Sequence, residues 1–331
     1  MRAKQLSEFL EFAVKNQFPV LIKGRPGIGK SDIVAQAAVK AGAKLIISHP
    51  VVSDPTDYKG LPFVVDGKAI FLPFGELENL IAAKEPTIFF LDDLGQAPPS
   101  VQAACMQLLL ARRINGHKVS DSVTFLAATN RREDKAAVSG ILEPVKSRFA
   151  SIIELDFNLE DWIKWAYLNG MPSELISFLQ FRPTMLTDAK LSRDIVNSPS
   201  PRTMSYIGKM QNAALPQDLF FEAVKGAAGE VFAVEYNGYI QLYASLPTIN
   251  EIIADPEYAR LPDNIGSKYA LIGMITDKMD SKNIAPLMRY LNRMPAELAM
   301  ACVKNAWTKN PSIASTMEFI QWASKNAQMI M

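Results

Sequence analysis

A glycine-rich run between a predicted strand and a predicted helix constrains this chain more than any other feature. Residues 24–31 read GRPGIGKS and satisfy the pattern G-x-x-x-x-G-K-[ST]. Residues 18–22 precede the run as a predicted buried strand, and residues 32–38 follow it with a composition compatible with a helix. A strand, a glycine turn and a helix N-terminus in this order form a concave set of backbone N–H groups that binds phosphate. The run therefore predicts an α/β fold that binds a nucleoside triphosphate.

The residue types within the run match the chemistry of phosphate and metal binding. Glycines let the backbone approach the phosphate oxygens, the Lys30 amine reaches the β- and γ-phosphates, and the Ser31 hydroxyl ligates Mg²⁺. A glycine-rich turn without a ligand is the alternative, which the flanking strand and helix disfavour. The predicted nucleotide-binding residues, including one aspartate from a later strand, are Gly24, Pro26, Gly27, Ile28, Gly29, Lys30, Ser31 and Asp92.

An acidic pair ends the most apolar predicted strand, residues 87–91. In a P-loop NTPase, an acidic residue at a strand end helps to hold Mg²⁺ beside the phosphates. A neighbouring carboxylate can orient or deprotonate the attacking water. We predict the metal role for Asp92, together with Ser31, and the water role for Asp93. Two adjacent aspartates also commonly begin a loop, but the phosphate loop upstream favours the catalytic interpretation.

Three further residues are candidates for catalysis, and the sequence evidence for each of them alone is weaker. Asn130 follows the predicted strand at residues 123–128, where its amide can position a water molecule, although asparagine is also an ordinary turn residue. Arg148 follows the last predicted helix of the α/β region, and Arg202 begins a helix in the later region. A single arginine is usually a solvated surface residue, but an arginine that contacts the transferring phosphoryl group is a recurrent catalytic device.

The order of predicted elements divides the chain into an α/β half and a helical half. Strands alternate with helices in the first half, which predicts a parallel sheet with helices on both faces. Asp66-Gly67 and Asn115-Gly116 each separate two β-rich runs and predict two hairpins. Beyond about Glu160 the strand pattern fades, and helical periodicity interrupted by proline and glycine predicts an all-α region.

Composition excludes several other classes of protein. The chain has 35 Lys and Arg against 34 Asp and Glu, so its formal net charge of +1 indicates no strong attraction to nucleic acid or anionic membranes. The two cysteines, Cys105 and Cys302, are predicted to be buried free thiols, as in a reducing compartment. Neither a signal-peptide core nor a run of about 18 apolar residues is present. We therefore expect a cytoplasmic protein without a membrane segment.

The order of the motifs resembles that of an AAA+ ATPase. Residues 24–31 are similar to the Walker A motif, and residues 88–93 (IFFLDD) to the Walker B motif. Residues 127–130 (AATN) resemble sensor 1, with Asn130 as the polar residue. Residues 147–149 lie where the family has its arginine finger, and residues 200–202 are similar to sensor 2. The resemblance thus implies that four residues are catalytic, namely Asp93, Asn130, Arg148 and Arg202.

Within that superfamily the chain resembles the MoxR group. Residues 96–102 (QAPPSVQ), followed by Leu108-Leu109 and Arg113, are particularly similar to MoxR members. The predicted hairpin at Asp66-Gly67 resembles the insert that this group carries in its second helix, and that at Asn115-Gly116 resembles the hairpin before sensor 1. The resemblance extends over roughly residues 1–215.

The resemblance implies an architecture, two cofactors and a set of partners. It implies an αβα core with a parallel sheet and two hairpin inserts at residues 1–155, a helical lid at 156–250, and a helical extension of the lid at 251–331. It implies ATP and Mg²⁺ as cofactors, and a homo-oligomeric ring, a hexamer, in which Arg148 completes the neighbouring site and Arg202 couples the nucleotide to the lid. It also implies a chaperone-like role on a protein partner, often one with a von Willebrand A domain.

One departure from the family pattern bears on hydrolysis, and two further arginines bear on which residue acts as the arginine finger. The family usually has Asp-Glu where this chain has Asp92-Asp93, and the shorter side chain at position 93 is expected to slow hydrolysis without abolishing binding. Arg131 and Arg132 are close enough to the sensor 1 segment to compete with Arg148 for the finger role.

Two other functions stay open at this level. A DNA-acting motor or loader would use the basic residues of the second hairpin, Arg112, Arg113, His117 and Lys118, to contact phosphates. An ATP-gated scaffold with little hydrolysis would follow from the aspartate at position 93. The apolar helix faces beyond residue 215 are interpreted as core of an enlarged lid, with docking of a partner as the alternative.

Overall fold

The computed structural model of the protein describes residues 1–134, 140–189 and 195–326. The chain divides into two compact units, Met1–Phe157 and Asn158–Met331. The division of the helical region at residue 250 stays a prediction.

The first unit is an α/β layer structure, as the alternation of elements predicts. Its strands are β1 (Val20–Lys23), β2 (Lys44–Ser48), β3 (Leu61–Val65), β4 (Lys68–Leu72), β5 (Thr87–Leu91), β6 (Arg113–Ile114), β7 (His117–Lys118), β8 (Val123–Thr129) and β9 (Ser151–Glu154). Its helices are α1 (Ala3–Lys15), α2 (Lys30–Ala41), α3 (Pro55–Lys59), α4 (Gly75–Ala82), α5 (Pro99–Ala111) and α6 (Glu143–Lys146). A five-stranded sheet in the order β2-β5-β8-β1-β9 is parallel throughout. The predicted fold class is confirmed.

The sheet is apolar on both faces because helices cover both. Along β5, Ile88 and Phe90 face the side covered by α1 and α2, whereas Phe89 and Leu91 face the side covered by α4 and α5. Side chains alternate across a strand, so a strand that is buried on both faces reads as a continuous apolar run. This explains why residues 87–91 are the most apolar strand of the sequence.

Both predicted hairpins are present and lie beside each other. β3 pairs with β4 and β6 pairs with β7, each antiparallel, and the turn residues Asp66-Gly67 and Asn115-Gly116 all have positive φ, as two-residue hairpin turns require. The Asn115 amide donates to the Lys59 carbonyl at 2.8 Å, and His117 Nε2 lies 2.7 Å from the Phe71 carbonyl oxygen. These contacts connect the second hairpin to the open end of the first, where β3 begins and β4 ends.

All regular secondary structure in the described part of the second unit is helical. Its helices are α7 (Leu159–Leu168), α8 (Ser173–Phe181), α9 (Thr184–Thr187), α10 (Pro201–Asn212), α11 (Gln217–Ala228), α12 (Glu230–Ala244), α13 (Ile249–Ala254), α14 (Ile265–Lys278), α15 (Ile284–Leu291), α16 (Ala296–Lys309) and α17 (Met317–Lys325). Phe178 of α8 packs against Phe232, Tyr236 and Tyr239 of α12. Every helix that the structure describes is too short or too polar to span a lipid bilayer.

Candidate functional site

The predicted site residues of the first unit meet at one edge of the sheet. β5, β8 and β1 are adjacent and parallel, so their carboxyl ends lie together. The phosphate loop follows β1, Asp92 and Asp93 follow β5, and Asn130 follows β8. Sheet topology thus brings together residues that are up to a hundred positions apart in the chain.

The phosphate loop has the backbone that its glycines allow. Gly27 has φ of 72°, and Gly29 has φ of 100° and ψ of 23°, a region that residues with a Cβ rarely adopt. α2 begins directly after Gly29, at Lys30. The first N–H groups of a helix lack intrahelical acceptors, so this helix start presents donors to the loop.

The Lys30 amine is buried within the loop, and its hydrogen-bond acceptors include two carbonyls of the loop and one side-chain amide. The residue is 7% exposed, and Nζ donates to the Gly24 and Arg25 carbonyls, each at 3.1 Å, and to Asn130 Oδ1 at 2.7 Å. The cation therefore lies between the loop and the end of β8. It also fixes which way the Asn130 amide points, since the oxygen must face the ammonium group.

Ser31 and Asp92 provide oxygen atoms suited to a hard divalent cation. Ser31 Oγ donates to Asp92 Oδ2 at 2.7 Å. Neighbouring oxygens around an octahedral Mg²⁺, with bonds of about 2.05 Å, lie about 2.9 Å apart. The donor chemistry and the separation both fit Mg²⁺, so these two residues would hold the ion.

Asp93 lies next to these groups in an uncommon backbone conformation. Its φ of 56° and ψ of 33° are left-handed, and a 3₁₀ turn, Leu94–Gln96, follows it. Asp93 Oδ1 accepts a hydrogen bond from Gln96 Nε2 at 2.8 Å and lies 3.4 Å from Asn130 Nδ2. Asn130 therefore bridges Lys30 and Asp93. The sequence assigned no catalytic role to Gln96, which it noted only as the first residue of the MoxR-like stretch at residues 96–102.

Arg148 lies at the opposite end of the strands, where β9 and β1 begin. It precedes β9, which is parallel to β1, and the N–H of Ala150 donates to the carbonyl of Pro19, just before β1, at 2.8 Å. Arg148 Nη1 donates to Ser147 Oγ at 2.7 Å, and its Nε is buried without a hydrogen-bond partner in the described part of the chain. The structure thus does not bring Arg148 to the phosphate loop of its own chain.

Arg131, one of the two alternative arginine fingers, is ion-paired with carboxylates of its own unit. Its guanidinium donates to Asp134 at 2.8 and 2.9 Å and to Glu154 at 3.3 Å, and the hydrogen bonds to Asp134 in particular raise its pKa. Glu154 also pairs with Lys23 at 2.6 Å, and this contact, followed by that to Arg131, lowers the pKa of Glu154. These pairs connect the ends of β1, β8 and β9. The other competitor, Arg132, packs against Gly140.

Arg202 belongs to the second unit. It is exposed and is the second residue of α10, whose first turn is capped by Ser200 accepting from the Thr203 N–H at 3.2 Å. Its predicted contact with nucleotide stays a prediction.

Comparison with known proteins decides the class of this site. Residues 20–157 match the sequence profile of the ATPase family associated with various cellular activities (AAA). This region is an AAA ATPase domain. The protein is accordingly an ATP-hydrolysing P-loop NTPase with ATP and Mg²⁺ as its cofactors.

Solved structures that align with this chain do so only loosely. The RuvB Holliday junction branch migration motor of Thermotoga maritima aligns at 14% identity with a TM-score of 0.37, over 97% of this chain and 87% of that one. NtrX from Brucella abortus in complex with ADP aligns at 14% identity with a TM-score of 0.42, over 99% and 68%. No curated protein sequence matches significantly. Similarity at this level carries no inference about substrate or partner.

Proposed function

We propose that this AAA ATPase is of the MoxR-like type and works as a ring of identical subunits, a hexamer, that remodels or loads a protein partner. Backbone amides of residues 27–30 and the Lys30 amine hold the phosphates, and Ser31 and Asp92 hold Mg²⁺. The ion neutralises charge on the β- and γ-phosphate oxygens. Asp93 and Asn130 position the attacking water.

The position of Arg148 is the observation that carries the proposed ring. The phosphate loop and Arg148 lie at opposite ends of β1, a four-residue strand that is about 13 Å long at roughly 3.3 Å per residue. This separation exceeds the reach of an arginine side chain. An arginine finger at this position must therefore serve the site of a neighbouring subunit.

An exposed apolar hairpin supports a protein as the partner. The large apolar side chains of β3 and β4 are between 38% and 67% exposed, although such residues are usually buried. These residues are Leu61, Phe63, Val64, Val65, Ile70, Phe71 and Leu72. Contiguous exposed apolar surface marks contacts with other proteins, and it offers nothing to a phosphate backbone.

The second hairpin gives little support to the DNA-acting alternative. Lys118 is paired with Asp121 at 2.6 Å. The Arg112 guanidinium donates to the carbonyls of Ser120 and Val123 at 2.7 and 2.8 Å. Basic groups that are already engaged in this way are poor phosphate ligands, so nucleic acid is not the favoured partner.

Two parts of the proposal rest on the sequence more than on geometry. The partner with a von Willebrand A domain rests on the MoxR resemblance, and so does the coupling of Arg202 to the nucleotide. A cytoplasmic location is supported by Cys105 and Cys302, which are both free and buried.

The steady-state ATPase rate against protein concentration tests the ring. We expect specific activity to rise with concentration and to fall in Arg148→Ala by roughly 10³ to 10⁵-fold, the usual effect of an arginine finger. Arg113→Ala, on the second hairpin, is the matched control and should keep the wild-type rate. A rate per subunit that is independent of concentration, or an active Arg148→Ala variant, contradicts the shared site.

Mixing two variants that each have a strongly reduced rate tests the shared site directly. An Arg148→Ala subunit retains Asp93, and an Asp93→Asn subunit retains Arg148. A mixed ring contains interfaces with both residues intact, so activity should partly return. If co-assembled mixtures stay inactive, Arg148 does not act across an interface. For the scaffold alternative, the decisive variant is Asp93→Glu, because a large rise in turnover would mean that the natural site is built for slow hydrolysis.

A further inference from the structure

The carboxylate of Asp93 is held by one of its two oxygens. Gln96 Nε2 donates to Asp93 Oδ1 at 2.8 Å, and the more distant Asn130 Nδ2 faces the same oxygen at 3.4 Å. Within the described residues, Asp93 Oδ2 makes no hydrogen bond. The shorter contact comes from Gln96, a residue that contributes nothing to the phosphate loop.

The backbone around Gln96 is fixed relative to Asp93. The Gln96 N–H donates to the Asp93 carbonyl at 3.0 Å, which closes the 3₁₀ turn. The buried amide of Gln102 then donates to the Ala97 carbonyl at 3.1 Å, directly after the turn. Gln96 is thus presented to the carboxylate by a constrained turn.

The other end of the Gln96 amide adds no hydrogen bond to the described part of the fold. Gln96 Oε1 is buried without a hydrogen-bond partner in the described part of the chain. A buried acceptor without a partner destabilises the folded state. Turning the amide around would place Oε1 against Asp93 Oδ1, two oxygens that repel each other. The amide therefore keeps its donor on Asp93 and leaves its acceptor unsatisfied.

We propose that Gln96 is a positioning residue for ATP hydrolysis, which fixes Asp93 Oδ1 so that Oδ2 is presented to the attacking water. This inference rests on the proposed function, in which Asp93 orients or deprotonates that water. An aspartate has one methylene fewer than the glutamate usual in the family, so its direction matters more. The left-handed backbone of Asp93 and the bond from Gln96 together set that direction.

Gln96→Met tests the proposal, since methionine has a similar length and no donor. We expect kcat to fall roughly tenfold to a hundredfold, the usual effect of losing a hydrogen bond to a charged group. KM for ATP should stay unchanged, because the hydrogen bonds that Gln96 donates go to Asp93 and not to the phosphate loop. Tm should not fall, because the unsatisfied Oε1 is removed. Gln107→Met, at an exposed position on α5, is the matched control.

A double-mutant cycle with Asp93→Asn separates positioning from a structural role. If Gln96 acts through Asp93, Gln96→Met should have no further effect on kcat in the Asp93→Asn protein. An additive loss, accompanied by a lower Tm, would show a merely structural role and overturn the proposal. Turnover at or above the wild-type rate in Gln96→Met would also overturn it, since Gln96 would then be neutral or a restraint. Wild-type turnover in Asp93→Asn alone would instead overturn the proposed function of Asp93.

Discussion

Replacing Gly95 with alanine should force apart the two strand ends that carry Asp93 and Asn130. Gly95 lies in the 3₁₀ turn after Asp93 and packs against Thr129, the last residue of β8. A Cβ built at Gly95 overlaps Thr129 Oγ1 and lies 3.2 Å from Thr129 Cβ. Optimal contacts between carbon atoms are about 3.5–4.0 Å long. The site is therefore built around the absence of a side chain at this position.

The loss of stability in Gly95→Ala depends on how far Thr129 can move away from the new Cβ. Threonine is branched at Cβ, so one alternative rotamer carries its methyl group into the same space, and either rotation breaks the hydrogen bond from Thr129 Oγ1 to the Asn130 carbonyl at 3.2 Å. Relief then needs a backbone shift, and overpacking of this kind costs about 1–3 kcal/mol. For a unit the size of Met1–Phe157, at about 2–4 °C per kcal/mol, Tm should fall by roughly 2–12 °C. The same shift would lengthen the contacts from Asp93 to Gln96 and Asn130, so kcat should fall as well.

Thermal unfolding and steady-state ATPase assays of Gly95→Ala measure both effects. Adding Thr129→Ala removes the overlapping hydroxyl and leaves 3.2 Å to Thr129 Cβ as the closest remaining contact, so the double variant should recover part of the lost Tm. Gly226→Ala is the control for the clash, because a Cβ there meets no neighbour within 4 Å and the residue lies inside α11, so its Tm should not fall and its turnover should match the wild type. If Gly95→Ala has the Tm and turnover of the wild type, the turn and β8 separate freely and the reasoning is wrong.

Three shorter predictions concern other parts of the molecule. Gly238→Ala should stabilise α12 by about 1 kcal/mol, because its Cβ meets open space, and an unchanged or lower Tm would contradict this. Burial alone would raise the pKa of Asp277, but hydrogen bonding to Lys309 and then to Lys278 lowers it. The ionised carboxylate therefore stabilises the fold fully above its unfolded pKa of about 3.9. This contribution is lost as the pH falls through the lower pKa of the folded state. Asp277→Asn should thus melt below the wild type at pH 7, and the two melting temperatures should converge in acid. Asn130→Ala should bind a fluorescent ATP analogue but turn over at least about tenfold more slowly, and equal turnover would remove Asn130 from the site.

Much of the fold could be predicted because its signals are local. The glycine run, the apolar strand at residues 87–91 and the two-residue turns each carry their own physical cause, and the parallel sheet and both hairpins are confirmed. β9 was not predicted. Its sequence, Ser151–Glu154, is short and has polar ends, and it becomes a strand by pairing with β1, more than a hundred residues earlier. Such tertiary pairing overrides a weak local pattern.

The candidate site shows the same limit at the level of single side chains. The sequence located Lys30, Asp92 and Asn130 because each follows a strand, and parallel strands place those ends together. It did not identify Gln96, because that contact depends on the left-handed backbone of Asp93. It left Arg131 as a possible finger, because its ion pair with Glu154 comes from the unpredicted strand.

One property of the sheet connects the missed strand to the proposed mechanism. β9 runs parallel to β1 and is its neighbour, so the residues before β9 lie beside the residues before β1, as the bond from Ala150 to Pro19 demonstrates. The phosphate loop follows β1 and therefore lies at the opposite end of these strands, where they finish. Had β9 been antiparallel, Arg148 would lie beside its own phosphate loop and could act within one chain. Strand direction thus decides that, in the proposed ring, each subunit binds ATP with one edge and completes its neighbour's site with the other.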